Sequence, residues 1–83
     1  MKLLNIAKSN RRDKKYVADV LHNGVIHRNV HFGHPSYQQF RDATPLKLYS
    51  YLDHNDTERR RRYHLRHKKN VGIASELSKR FLW

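Results

Sequence analysis

KYVADVLHNGVIHRNVHF, residues 15–32, decides the fold. Two β-rich runs flank Asn23-Gly24. An Asn-Gly pair in that setting predicts a two-residue type I′ hairpin turn, because both central residues must take positive φ. Strands follow over 15–21 and 25–32. A two-residue turn sets the register: Leu21 with Ile26, Asp19 with Arg28, Val17 with Val30, Lys15 with Phe32. Paired residues share a face. The core face expected from this register carries Leu21, Ile26, Val17, Val30 and Phe32, with Asp19 and Arg28 as an ion pair. Tyr16, Ala18, Val20, His27, Asn29 and His31 form the wetter face, where Tyr16, His27 and His31 are candidates for stacking on bases.

Upstream, Lys2 to Lys8 alternates, with Leu4 and Ile6 on one side and Leu3 and Ala7 on the other. This suits a third strand added at the edge. Ser9 to Lys15 is a basic loop. Downstream, the chain turns at Gly33, His34 and Pro35. Ser36 with Gln39 has capping-box spacing and predicts a helical turn carrying Tyr37 and Phe40. Thr44-Pro45 predicts a helix start, so PLKLYSYL, residues 45–52, is expected to be the main helix on the sheet. In LDHNDTERRRRYHLRHKKN, residues 52–70, acids precede a run of cations, the order that backbone dipoles favour in a helix. That helix is expected from Asp56 to Lys69, with Asn55 (with Glu58 as capping box) or Asp56 as its cap. Asn70 and Gly72 are candidate terminators. Ile73, Leu77 and Phe81 recur every four residues along a last amphipathic segment over 75–83, and Trp83 is expected to dock on the core. The fold class is α+β: a small antiparallel β-meander or hairpin packed against short α-helices. One small basic domain covers 1–83, with the meander in 1–33 and the helical part in 36–83.

Composition narrows the function. Eighteen Lys and Arg against seven Asp and Glu give a formal net charge of +11. Such excess favours nucleic acid or an anionic surface. There is no cysteine, which excludes disulfides and thiolate metal sites. No apolar run approaches the ~18 residues of a membrane span, and the first residues lack a secretory apolar core. The expectation is a soluble protein acting inside a cell or a particle made there, not a secreted one.

Certain motifs point to relatives. Lys14-Lys15-Tyr16, His31-Phe32-Gly33, His54, Asp56, Arg59 to Arg62, Tyr63, Arg66-His67 and a final Leu82-Trp83 form a series. It resembles a family of short basic proteins encoded by large double-stranded DNA viruses of algae and amoebae. The resemblance implies a place in the virion or the infected cell and implies no particular chemistry.

Seven of the cations fall between Arg59 and Lys69. Tyr63 and Leu65, the clear apolar residues there, point to opposite sides of a helix. A helix polar all round needs ion pairs or a partner, and four consecutive arginines repel one another. The expected nucleic-acid contacts are Arg59, Arg60, Arg61, Arg62, Arg66, Lys68 and Lys69, with Arg11, Arg12 and Lys14 as a second patch. The expected partner is nucleic acid, double-stranded DNA first, met through its phosphates without sequence preference. The alternative is a minor structural protein facing acidic virion proteins. His64 and His67 stand three apart, but without cysteines a metal site needs further ligands, so no metal or cofactor is expected. His54, Asp56, Arg59 and His67 lack a third acid close in sequence, and no enzymatic activity is expected.

Overall fold

The computed structural model describes all residues, Met1–Trp83, and its architecture is α+β. Asn23 and Gly24 both take positive φ, 52° and 75°, as the tight turn requires. From it run β2 (Tyr16–His22) and β3 (Val25–Phe32), antiparallel, with His22 opposite Val25 and Leu21 opposite Ile26. β1 (Lys2–Lys8) pairs with the other edge of β2, so the sheet order is β1-β2-β3.

The expected register fails halfway along the hairpin. Asp19 faces two residues of β3, Arg28 and Asn29. Pairing resumes with Ala18 opposite Val30, Val17 opposite His31 and Tyr16 opposite Phe32. Asn29 takes a left-handed φ of 55°, which its short polar side chain tolerates. Its N–H donates to Asp19 Oδ1 at 2.9 Å, so the bulge has an anchor. One inserted residue moves all later side chains to the opposite face. Val30 and Phe32 therefore join Tyr16, Ala18 and Val20, and the face expected to be wet is the core. Tyr16, Ala18, Val20 and Phe32 are buried, whereas Ile26 is exposed. Asp19 still meets Arg28, at 3.9 Å. His27 and His31, expected on one face, lie on opposite ones. β1 bulges at the same level: Leu4 has no partner between Leu3–Val20 and Asn5–Asp19. Leu3 and Ile6, not Leu4 and Ile6, pack on the core.

Two helices complete the body. α1 (Thr57–Arg66) is capped by Asp56, whose Oδ1 accepts from the N–H groups of Glu58 and Arg59. Asn55, the other candidate cap, takes φ 53°. α1 is shorter than expected, and Lys68 and Lys69 lie in the turn after it. α2 (Ile73–Phe81) packs on β3 through the stripe seen in the sequence, with Leu77 fully buried. Trp83 docks as expected. It packs against the core and stacks on Tyr63, ring centroids 4.2 Å apart.

Neither helix expected in residues 36–52 forms. A turn closed by Tyr37 N–H to the His34 carbonyl replaces the first. The second is reduced to a 3₁₀ turn over Ser50–Leu52. Lys47 takes φ 51°, which breaks any helix through it, and Leu46 and Leu48 are exposed. A buried polar hub holds this segment instead. Asp42 accepts from the Tyr16 hydroxyl, from Thr44 N–H at 3.0 Å and hydroxyl at 2.5 Å, and from Tyr49 N–H at 3.1 Å. Lys15 Nζ donates to the Tyr37 carbonyl at 2.9 Å and to the Gln39 side chain. Gln39 Nε2 donates to Tyr49 O and to Asp53 Oδ1. Thr44 is thus not a helix cap; its hydroxyl serves Asp42 and accepts from Lys47 N–H. Replacing Asp42 with Ala strands four buried donors. Denaturant unfolding should show a loss of about 1–3 kcal/mol or more, the cost of leaving buried donors without an acceptor. An unchanged midpoint would remove Asp42 from this role.

Candidate functional site

β1 ends, β2 begins and β3 ends at the same end of the sheet, where the 9–15 loop and Gly33 lie. Here the residues after β3 face α1 across a cleft of about 700 Å³. Lys15 and Gly33 lie at its base. Gly33 takes φ 77°, and a Cβ on it would stand 3.0 Å from Leu82 Cδ1 and 3.0 Å from Lys15 Cδ. The site needs glycine for both backbone and space. Gly33→Ala should destabilise the protein by about 1–3 kcal/mol, read as a lowered thermal midpoint; an unaltered midpoint would show that the base of the cleft yields.

The cleft walls are aromatic. On one side His34 and Tyr37 stack at 4.4 Å. On the other Trp83, Tyr63 and His67 form a column, with Tyr63 4.2 Å from Trp83 and 4.3 Å from His67. Arg59 and Arg66 stand on the same side as Tyr63 and line the cleft. Arg62 joins Arg59, Arg66 and Trp83 around a smaller adjoining hollow.

The expected contact residues separate into two groups. The four consecutive arginines each find a partner in their own chain. Arg59 donates to Gln38 Oε1 at 2.9 Å. Arg60 donates to the Trp83 carbonyl at 2.7 Å and lies 4.7 Å over the Phe40 ring. Arg61 grips Glu58 through two hydrogen bonds, and Arg62 approaches the same carboxylate at 3.9 Å. These are surface contacts, and exposed pairs of this kind contribute little. Part of the repulsion expected to require an outside polyanion is thus relieved internally. Arg66, Lys68, Lys69, Arg11, Arg12 and Lys14 take no part in the three ion pairs of the chain, and all but the half-buried Lys14 are exposed. Arg66 lines the cleft, Lys68 and Lys69 follow in the turn after α1, and Arg11, Arg12 and Lys14 lie in the loop joining β1 to β2.

The residues weighed for other chemistry have local duties. Asp56 caps α1. His64 Nε2 bonds the Trp83 carbonyl at 2.9 Å, and His67 Nδ1 meets Asn70. No three His, Asp or Glu side chains converge on a point. His54 packs beside Trp83, and burial, with Arg59 adding to it, lowers its pKa. Tyr16, a candidate for stacking on bases, is fully buried and belongs to the hub. Sequence reasoning missed Lys15, His34, Tyr37 and the Trp83 stack. Arg59, Tyr63 and Arg66 at i, i+4, i+7 were a legible sign of one helix face; Tyr37 left no such sign.

No helix is long and apolar enough to cross a membrane. No family model, curated protein or solved structure matches the chain.

The hub makes stability depend on pH. Burial pushes the Lys15 ammonium from its ordinary 10.5 down to about 8, with Asp42 and Asp53 resisting. Burial and the bond to Asp42 push the Tyr16 phenol up to about 12 from 10.0. Burial also pushes the Asp42 carboxyl up, but hydrogen bonds from Thr44 and Tyr16 win and leave it below 3.8. Between pH about 8 and about 10 the unfolded chain holds the Lys15 proton that the folded one has released, so stability rises with pH. Above about 10 the folded chain keeps the Tyr16 proton that the unfolded one loses, so stability falls. Below about 4 the contribution of Asp42 fades as its folded-state pKa is passed. Thermal midpoints measured across pH should peak on the alkaline side, and Lys15→Met should abolish the rise. A wild-type midpoint that falls steadily from pH about 8 would contradict this.

Proposed function

We propose that the protein binds nucleic acid without sequence preference, through backbone phosphates, in genome packaging or protection. One observation carries this reading: Arg66, Lys68, Lys69, Arg11, Arg12 and Lys14 have no carboxylate partner, and all but Lys14 are exposed. Cations left unpaired on a surface exchange bound anions readily, and a polyanion that displaces many counterions at once gains their release. Arg59 to Arg62 add to the positive field but are tethered, so they are secondary contacts. The motif series from His31-Phe32-Gly33 to Leu82-Trp83 supports a viral setting, in the virion or the infected cell.

Binding to arbitrary DNA, titrated by gel shift across salt, should give a slope of log affinity against log salt of roughly −4.5 to −6 for about five to seven phosphate contacts. Replacing Arg66, Lys68 and Lys69 together with Gln should make that slope shallower by roughly 2.7. Replacing Arg61 and Arg62 should change it less, because both already engage Glu58 and displace fewer phosphate counterions. Absence of any shift at low salt would overturn the proposal. It would favour the second reading, a structural protein that meets acidic protein surfaces. For that reading the exposed Leu46, Leu48 and Tyr51 supply apolar contacts of the kind nucleic acid does not need.

A further inference from the structure

We infer that the cleft between the 34–37 turn and α1 takes one unstacked nucleotide, so that the protein prefers single-stranded or frayed nucleic acid to intact duplex. The inference rests on the phosphate-binding reading and deepens it by naming the form of the ligand. Phosphate contacts alone need an array of cations and no ring-walled pocket. This surface is instead concave, and its volume of about 700 Å³ is of the size that encloses a small organic ligand. Its walls are rings: Tyr37, backed by His34, on one side, and the Trp83–Tyr63–His67 column on the other. Tyr37 is 67% exposed, although an aromatic ring of that size is ordinarily covered. The ring column of α1 is flanked by Arg59 and Arg66, seven residues and about 10 Å apart along the helix. A flat, uncharged base between rings and a phosphate at the Arg66 guanidinium, with tethered Arg59 as the secondary contact, is the ligand that this combination fits. Base–aromatic stacking with cationic tracking of the backbone is how single strands are held without sequence preference. Bases inside a duplex are stacked on one another and cannot enter.

Trp83 is the one tryptophan of the chain and reports on the cleft directly. The full chain is titrated, with Trp83 fluorescence and anisotropy of labelled strands as readouts. The probes are a single-stranded oligodeoxyadenylate of about 12 nucleotides, an abasic strand of equal length and charge, a duplex, deoxyadenosine monophosphate and inorganic phosphate. The base-bearing strand should bind about tenfold or more tightly than the abasic strand and should quench Trp83, and Tyr37→Ala should bring the two together. Equal binding of base-bearing and abasic strands by the wild-type protein would overturn the cleft inference while leaving the phosphate reading in place. Tighter binding of duplex than of single strand would also overturn it. Saturable quenching by the mononucleotide, but not by phosphate, without binding of any strand would uphold the cleft and overturn the polymer as its source. No response to any probe would overturn both.

Discussion

The Asp42 carboxylate, withdrawn from water and surrounded by donors, is the constraint on which this structure turns. Removing a carboxylate from solvent is costly unless its lone pairs are filled. Here Tyr16, Thr44 and Tyr49 fill them. Each comes from a different part of the chain, so satisfying Asp42 fixes β2, the 42–44 bend and the 3₁₀ approach at once. Lys15 and Gln39 extend the network to Asp53, three residues before the cap of α1. The same lysine holds the Tyr37 carbonyl. The hub thereby positions both walls of the cleft: the 34–37 turn through Lys15, and the start of α1 through Asp53. A network of this kind favours one arrangement because any other leaves a buried charge or donor unpaired.

The reliance on polar burial follows from size. The apolar core is seven residues, from Tyr16 to Leu82, which is little for 83 residues. α1 has no buried residue at all. It is held by the Asp56 cap, by Tyr63 on Trp83, and by Arg60 and His64 on the Trp83 carbonyl. An element tied down by a few surface contacts opens more easily than the sheet. The most cationic element is therefore held mainly by surface contacts, which is compatible with the proposed polyanion contact.

Several parts of this architecture were legible in the sequence because the signal was local. Asn23-Gly24 specified its turn through backbone sterics, Ile73, Leu77 and Phe81 specified a helix face through spacing, and Trp83 was too large to leave unpacked. The bulges were not legible. Arg28-Asn29 opposite Asp19 resembles ordinary alternation, and only the tertiary demand to bury Tyr16 with Phe32 selects the shifted register. Nor was the 33–56 segment legible. Thr44-Pro45 and the apolar run after it satisfied every local rule for a helix, but Asp42 captured Thr44 first. A buried lysine such as Lys15 runs against composition rules, and nothing in its sequence neighbourhood distinguishes it from Lys14. The arginine run was visible, but its internal partners Gln38 and the Trp83 carbonyl are distant in sequence.

Native-state hydrogen exchange at the amides of Thr44, Leu48 and Tyr49 tests the role of the hub most directly. These N–H groups donate to Asp42, the Tyr16 hydroxyl and Asp42 respectively, and none belongs to a helix or strand. If the buried carboxylate organises the fold, all three exchange as slowly as the amides of β2 and lose protection only with global unfolding. Exchange at the rate of an open loop, with β2 still protected, would contradict it.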